Sequence, residues 1–173
     1  MSNVTISTLK RIDPDALFAL LQRNIATTGS TTGSTATPSS TATAPTTSTG
    51  TDAPQPPSIA IIDVRDSDYI GGHIRGCTNV PAHSLDWRAP ELARTLRDVP
   101  LVVFHCALSQ QRGPGAALRY LRERERLAPD EEGAVKEQDV KVLEGGFVRW
   151  QEKYGKDSSV TEGYVEDIWK YGY

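Results

Sequence analysis

Apolar residues in this chain fall into short unbroken runs separated by segments with helical spacing. Ile59-Ala60-Ile61-Ile62-Asp63-Val64 and Leu101-Val102-Val103-Phe104 are two such runs, and Val140-Lys141-Val142-Leu143, interrupted by one lysine, reads as a last strand. Runs of this length without polar alternation predict strands buried on both faces, as in a parallel sheet. Cys77 to Val80 is a further short strand candidate. Asp13 is placed to cap a helix opened by Pro14, with Ala16, Leu17, Leu20 and Leu21 striping it through about Asn24. Glu91 to Arg97 reads as helical. Gly113 to Arg126 reads as a strong helix with Ala116, Ala117, Tyr120 and Leu121 on one face, and Gly145-Gly146 begins another through about Lys153. Alternating strands and helices predict an α/β fold, with helices on both faces of a mostly parallel sheet and ligands at the carboxyl ends of its strands.

The pattern breaks from Ala26 to Ser58, where Thr, Ser, Gly, Ala and Pro take over. Such a segment buries too little apolar surface to offset its ordering entropy. It is expected to be a disordered insert, a plain spacer rather than a phosphorylation-controlled tether. The expected organisation is an N-terminal strand and helix (1–25), the insert (26–58), a domain core (59–154) and a tail (155–173). Leu127 to Gln138 reads as an acidic loop. Tyr164, Val165, Ile168, Trp169, Tyr171 and Tyr173 make the tail aromatic, which suits a helix closing over the core better than a partner-docking segment.

Composition narrows the function classes. A chain of 173 residues suits one domain. The net charge of -3 argues against nucleic acid as a partner, since phosphate-backbone binding needs a basic surface. Arg119, Arg122, Glu123, Arg124, Glu125 and Arg126 alternate in sign and read as a solvated helix face. No window approaches a membrane span, and Met1 to Thr5 lacks the basic and apolar runs of a signal peptide. Two cysteines, Cys77 and Cys106, are too few for a disulfide scaffold and suit a reducing compartment. The expectation is a soluble monomer of the cytoplasm or nucleus, with no metal and no membrane partner.

The candidate chemistry lies where the second long run ends. His105-Cys106 is followed by Ala107-Leu108-Ser109-Gln110-Gln111-Arg112-Gly113 and then at once by the helix. A loop curled over a helix N-terminus aims backbone N–H groups inward, where they and the helix dipole favour a bound anion and a thiolate. Arg112 adds a planar fork that fits two oxygens of a tetrahedral oxyanion. A Cys-x5-Arg spacing alone is weak. The apolar strand before it and the Gly113-Pro114 helix start after it weigh against the alternative of an inert buried cysteine.

With these residues in place the sequence resembles the rhodanese superfamily. Asp63-Val64-Arg65, Asp68-Tyr69, Gly72-His73-Ile74-Arg75-Gly76 and Asn79-Val80-Pro81 are similar to its first signature, and Leu143-Glu144-Gly145-Gly146-Phe147 with Trp150 to its last. The seven positions from Cys106 to Arg112 are one more than sulfurtransferases carry. They resemble the branch of cell-division-cycle dual-specificity phosphatases and eukaryotic arsenate reductases, especially its small fungal and plant members. The resemblance implies a rhodanese-like fold, a pocket for phosphate or arsenate oxygens, Cys106 and Arg112 as catalytic residues, and Ala107, Leu108, Ser109, Gln110, Gln111 and Gly113 as the oxyanion-binding loop. The implied reaction is phosphatase turnover through a phosphocysteine, on a phosphorylated protein or small oxyanion. Arsenate reduction with glutathione and glutaredoxin as electron donors is the alternative. Sulfurtransfer and a non-catalytic phospho-partner module rank below both. Two departures matter: the cell-cycle phosphatases have acidic loop residues where this chain has Ala107 and Gln111, and a second cysteine at the position of Val64.

Asp63 and Arg65 are expected to pair and fix the loop after the strand, and His105 to brace the Cys106 loop from the far face. Asp66 and Glu144 are candidate acids near the pocket mouth, each read first as a loop residue. His73 is read as a turn histidine, His83 as uninformative and Cys77 as a small buried residue rather than a resolving thiol. Trp87 is assigned to a loop, packed rather than bordering the mouth.

Overall fold

Two of the strands follow directly from the unbroken apolar runs, and the strand order in the sheet decides where the loops meet. The computed structural model describes residues 4–28, 58–127 and 137–172. Five parallel strands form the central sheet: β1 (Lys10–Ile12), β2 (Ile59–Asp63), β4 (Thr78–Asn79), β5 (Leu101–His105) and β6 (Asp139–Leu143), ordered β1-β6-β5-β2-β4. A two-stranded antiparallel ribbon stands apart, made of β3 (His73–Ile74) and β7 (Thr161–Glu162). The helices are α1 (Pro14–Thr28), α2 (Leu85–Thr95), α3 (Arg112–Leu127), α4 (Gly146–Tyr154) and α5 (Glu166–Tyr171).

Both faces of the sheet are covered. On one, Ile62, Phe104, Val102 and Val142 pack against Leu92 and Ala93 of α2 and Ala116, Ala117 and Tyr120 of α3. On the other, Ile61, Val103 and Leu143 pack against Leu17 of α1, Phe147 and Trp150 of α4, and Val160. Burial on both sides explains why these strands read as unbroken apolar runs. None of the described helices is long and apolar enough to cross a membrane.

Several boundaries differ from the sequence reading. Helix α1 runs to Thr28, into the segment assigned to the insert, while 29–57 lie outside the described residues. So does 128–136, most of the acidic loop. Helix α2 starts at Leu85, six positions before Glu91, and carries Pro90 within it. A proline has no N–H to give its preceding turn and normally marks a boundary, so the first turn was hidden. Val140 to Leu143 is not the last strand, because β7 follows it. With only two residues, β3 and β7 are too short to show a period.

Asp13 Oδ1 accepts the Asp15 N–H at 2.9 Å and caps α1. In the tail, Val160 is buried and the Trp169 ring lies tilted at 5.5 Å from Phe147, its indole N–H bonded to the Gly71 carbonyl at 2.7 Å.

Candidate active site

Strand β2 hands the chain to β4 on one side of the sheet, and β5 hands it to β6 on the other. The crevice at the carboxyl ends of β2 and β5 is therefore a topological switch point, where open α/β sheets hold ligands. The two strands are in register to their last residues, Asp63 opposite His105. Their exit loops, 64–72 and 106–111, consequently face each other.

Cys106 follows β5 directly and is buried, 4% exposed. The Ser109 N–H donates to its Sγ at 3.2 Å. Ser109 itself has φ +54° and is fully enclosed, a left-handed backbone that turns the loop back over the sulfur. The other side of the loop is held by α4. Phe147 and Val148 donate their amides to the carbonyls of Cys106 and Ala107 at 2.9 and 3.0 Å. These carbonyls are thereby tied back, away from the sulfur. Gly146 makes the approach possible: at φ +61°, a Cβ there would lie 2.5 Å from the Cys106 oxygen and 2.4 Å from the Ala107 oxygen. Gly113 packs α3 on the loop less tightly, where an added Cβ would meet Ser109 Oγ at 3.3 Å and Cys106 N at 3.4 Å. Leu108, Gln110 and Gln111 are exposed on the outside of the loop.

Arg112 opens α3, and here the structure corrects the sequence reading. Its end fork is closed on the β2 exit loop instead of being wholly free for an anion. Nη1 donates to Asp68 Oδ1 at 2.7 Å and Nη2 to Asp68 Oδ2 at 2.5 Å, while Nη1 also donates to Asp66 Oδ2 at 3.0 Å. These bonds use three of the five guanidinium N–H groups. The Nε–H and the second Nη2 N–H, a parallel pair, are taken by neither carboxylate. Asp68, chiefly through its bonds from Arg112, is held down to about 2. Burial opposes ionisation of Asp66, but bonds from His83 and Arg112 outweigh it and lower it. Arg112 is in turn driven upward, first by Asp68 and last by the charge of Cys106. All three side chains are charged at neutral pH.

His83 completes this cluster. Its backbone N–H and ring Nδ1 both meet Asp66 Oδ1, at 3.3 and 2.8 Å. Beside it the Trp87 ring stands edge-on at 6.4 Å. Trp87 lies in α2, not in a loop, and is 67% exposed, not packed.

Beneath the crevice runs a buried frame. Arg65 Nη2 donates to Asp63 Oδ2 at 2.7 Å, with both side chains wholly buried. Nη2 also reaches the Gly72 carbonyl at 2.8 Å, and the guanidinium lies 4.3 Å over the Phe147 ring. Asn79 Nδ2 donates to the carbonyls of Asp63 and Arg65. The signature residues thus fix the loop that carries Asp66 and Asp68. His105 is buried and its Nδ1 meets the Cys106 carbonyl at 3.3 Å; burial lowers its pKa, so it stays neutral.

The remaining candidates lie apart. Glu144 pairs with Arg11 at 3.2 Å, and that arginine also reaches the Ser109 carbonyl. His73 belongs to β3, where it meets Glu162 at 3.3 Å, and not to a turn. Cys77 packs with the cluster on the sheet face opposite Cys106, and both cysteines are free. Burial pushes Cys77 up to about 11. Sequence reasoning missed Asp68 and His83 as members of the site. The only signal was the acidic density of Asp66-Ser67-Asp68 after an apolar run.

Comparison with known proteins agrees with this fold. A family profile described as the rhodanese-like domain matches residues 49–153. The chain is 43% identical over 121 residues to the CDC25-like phosphatase YCH1 of Saccharomyces cerevisiae, covering 64% of this chain and 77% of that protein. It is 42% identical over 96 residues to arsenate reductase 2.2 of Oryza sativa subsp. japonica, covering 55% and 71%. Among solved structures, yeast Ygr203w, described as a protein tyrosine phosphatase of the rhodanese family, superposes with a TM-score of 0.62 at 32% identity. That match covers 96% of this chain and 99% of the other.

Proposed function

The chain belongs to the rhodanese-like domain family, and we propose that within it the protein is a cysteine-dependent phosphatase working through a phosphocysteine on Cys106. One observation carries this reading: the Cys106 sulfur accepts the Ser109 amide at the floor of a loop whose carbonyls are tied outward, with Arg112 anchored at its end. The similarity to a CDC25-like phosphatase supports it.

The chemistry follows from the parts. The Cys106 thiolate attacks phosphorus, the sulfur–phosphorus bond forms and the ester oxygen leaves. Loop amides and the two open N–H groups of Arg112 hold the equatorial oxygens as charge develops on them. Asp68 and Asp66 keep the guanidinium from swinging, so little reorganisation is needed in the transition state. Water then displaces the sulfur and releases phosphate.

Arsenate reduction is the second reading, favoured by the likeness to a rice arsenate reductase. The same thiolate would displace hydroxide from arsenate. Cys77 sits on the opposite face of the sheet with its thiol protonated, so the two electrons would come from glutathione, with glutaredoxin resolving the mixed disulfide. Aryl-phosphate hydrolysis and glutathione-dependent arsenite formation, measured side by side on wild type and Cys106→Ser, decide between them. Phosphate release lost in Cys106→Ser supports the phosphatase. Arsenite formation without phosphate release supports the reductase.

A further inference from the structure

We propose that His83 is the acid that protonates the leaving oxygen, oriented for this by Asp66. The inference rests on the phosphatase reading and names a group that reading lacks. A phosphate ester leaves as an alkoxide or phenoxide unless a proton reaches it, and positioned proton transfer is worth about 10²–10⁴-fold. The loop has Ala107 and Gln111 and no carboxyl of its own. Asp66 and Asp68 are at the right place but are committed, as anions, to Arg112. Glu144 meets Arg11 and not Arg112.

Among the described residues, His83 is the remaining titratable side chain bonded to this cluster. Its Nδ1 lies 2.8 Å from Asp66 Oδ1, while Oδ2 of the same carboxylate lies 3.0 Å from Arg112 Nη1. One carboxylate therefore joins the imidazole to the guanidinium that would grip the oxyanion. A carboxylate on one ring nitrogen fixes the tautomer and turns the other toward the reaction, as in other acid–base histidines. The side chain is 71% exposed, and Asp66 engages Nδ1 rather than Nε2. The charged groups around it are Asp66, with Asp68 and Arg112 behind; on α2 its neighbour is the uncharged Trp87, and Asp86 there is paired with Arg119.

The proton balance closes over one turnover. As the Sγ–P bond forms and the P–O bond breaks, the electron pair passes to the leaving oxygen, which takes the proton on Nε2 of the imidazolium. In the second half, neutral Nε2 takes a proton from water as its oxygen bonds phosphorus and the P–S bond breaks. Thiolate and imidazolium are both restored.

The test compares kcat/KM of wild type and His83→Asn on phenyl phosphate, a poor leaving group, and nitrophenyl phosphate, a better one. The expected loss in His83→Asn is about 100-fold on phenyl phosphate, shrinking on nitrophenyl phosphate, with melting temperature and inorganic phosphate inhibition unchanged. An equal loss on both substrates, or none on either, overturns the assignment while leaving the phosphatase reading intact. A wild type that releases no phosphate from either ester overturns the phosphatase reading itself, and this one with it.

Discussion

Arg112 and Asp68 are joined by two parallel hydrogen bonds across 44 positions of sequence. The pair ties the loop after β2 to the helix after β5. It also changes what Arg112 can be: a cation already anchored, presenting one remaining edge. Anchoring by a carboxylate restrains the long side chain that an unpaired arginine would leave mobile, at the cost of negative charge near the anion site.

The anchor has a sign-defined pH dependence. The folded carboxylate of Asp68 is held down to about 2, below its ordinary 3.8. A depressed carboxyl contributes stability that is full above its unfolded value and lost as pH falls through the folded one. Asp68→Asn is therefore expected to melt below wild type at pH 7, and the gap should close between about pH 4 and pH 2. Melting curves across this range check it; a gap that persists unchanged at pH 2 would refute the pairing as its cause.

Gly146 is expected to tolerate no side chain. A Cβ would stand 2.5 Å or less from two loop carbonyls on a backbone already at φ +61°. Overpacking of this kind costs about 1–3 kcal/mol, and relief would push the Cys106–Ala107 segment away from α4. Gly146→Ala should lower both the melting temperature and kcat, whereas Gly115→Ala, where a Cβ meets nothing within 4 Å, should lower neither.

The two cysteines should separate cleanly by reactivity. The thiolate is the nucleophile, and burial pushes Cys77 up to about 11, so it is protonated at pH 8. Brief iodoacetamide treatment of the native protein at pH 8 is expected to place one carbamidomethyl group, on the peptide with Cys106. Inorganic phosphate should slow the reaction. Labelling at half-buried Cys77 first would show that Cys106 does not carry the reactive thiolate.

How much of this was readable from the chain depends on how local each feature is. Strands β2 and β5 show as apolar runs because both sheet faces are covered, and Cys106 to Arg112 is one continuous loop. The Asp63–Arg65 pair spans two positions and was legible for the same reason. The bonds from Arg112 to Asp66 and Asp68 depend on strand order, which no local pattern encodes. Arg112 therefore read as free to grip an anion. Trp87 was obscured differently: Pro90 masks the first turn of α2 and left it in an apparent loop, while His83 lies in the three-residue 3-10 turn just before, Ala82–Ser84, too short to show a period. Strands β3 and β7, two residues each, carry no period, so His73 read as part of a turn.

The covalent intermediate on Cys106 is the most direct test of the whole mechanism. Wild type mixed with an excess of nitrophenyl phosphate and quenched in acid within one turnover should gain the mass of one phosphoryl group, on the peptide containing Cys106. The adduct should be absent from Cys106→Ser. Phosphate release by wild type with no adduct on that peptide, or undiminished turnover by Cys106→Ser, would contradict it.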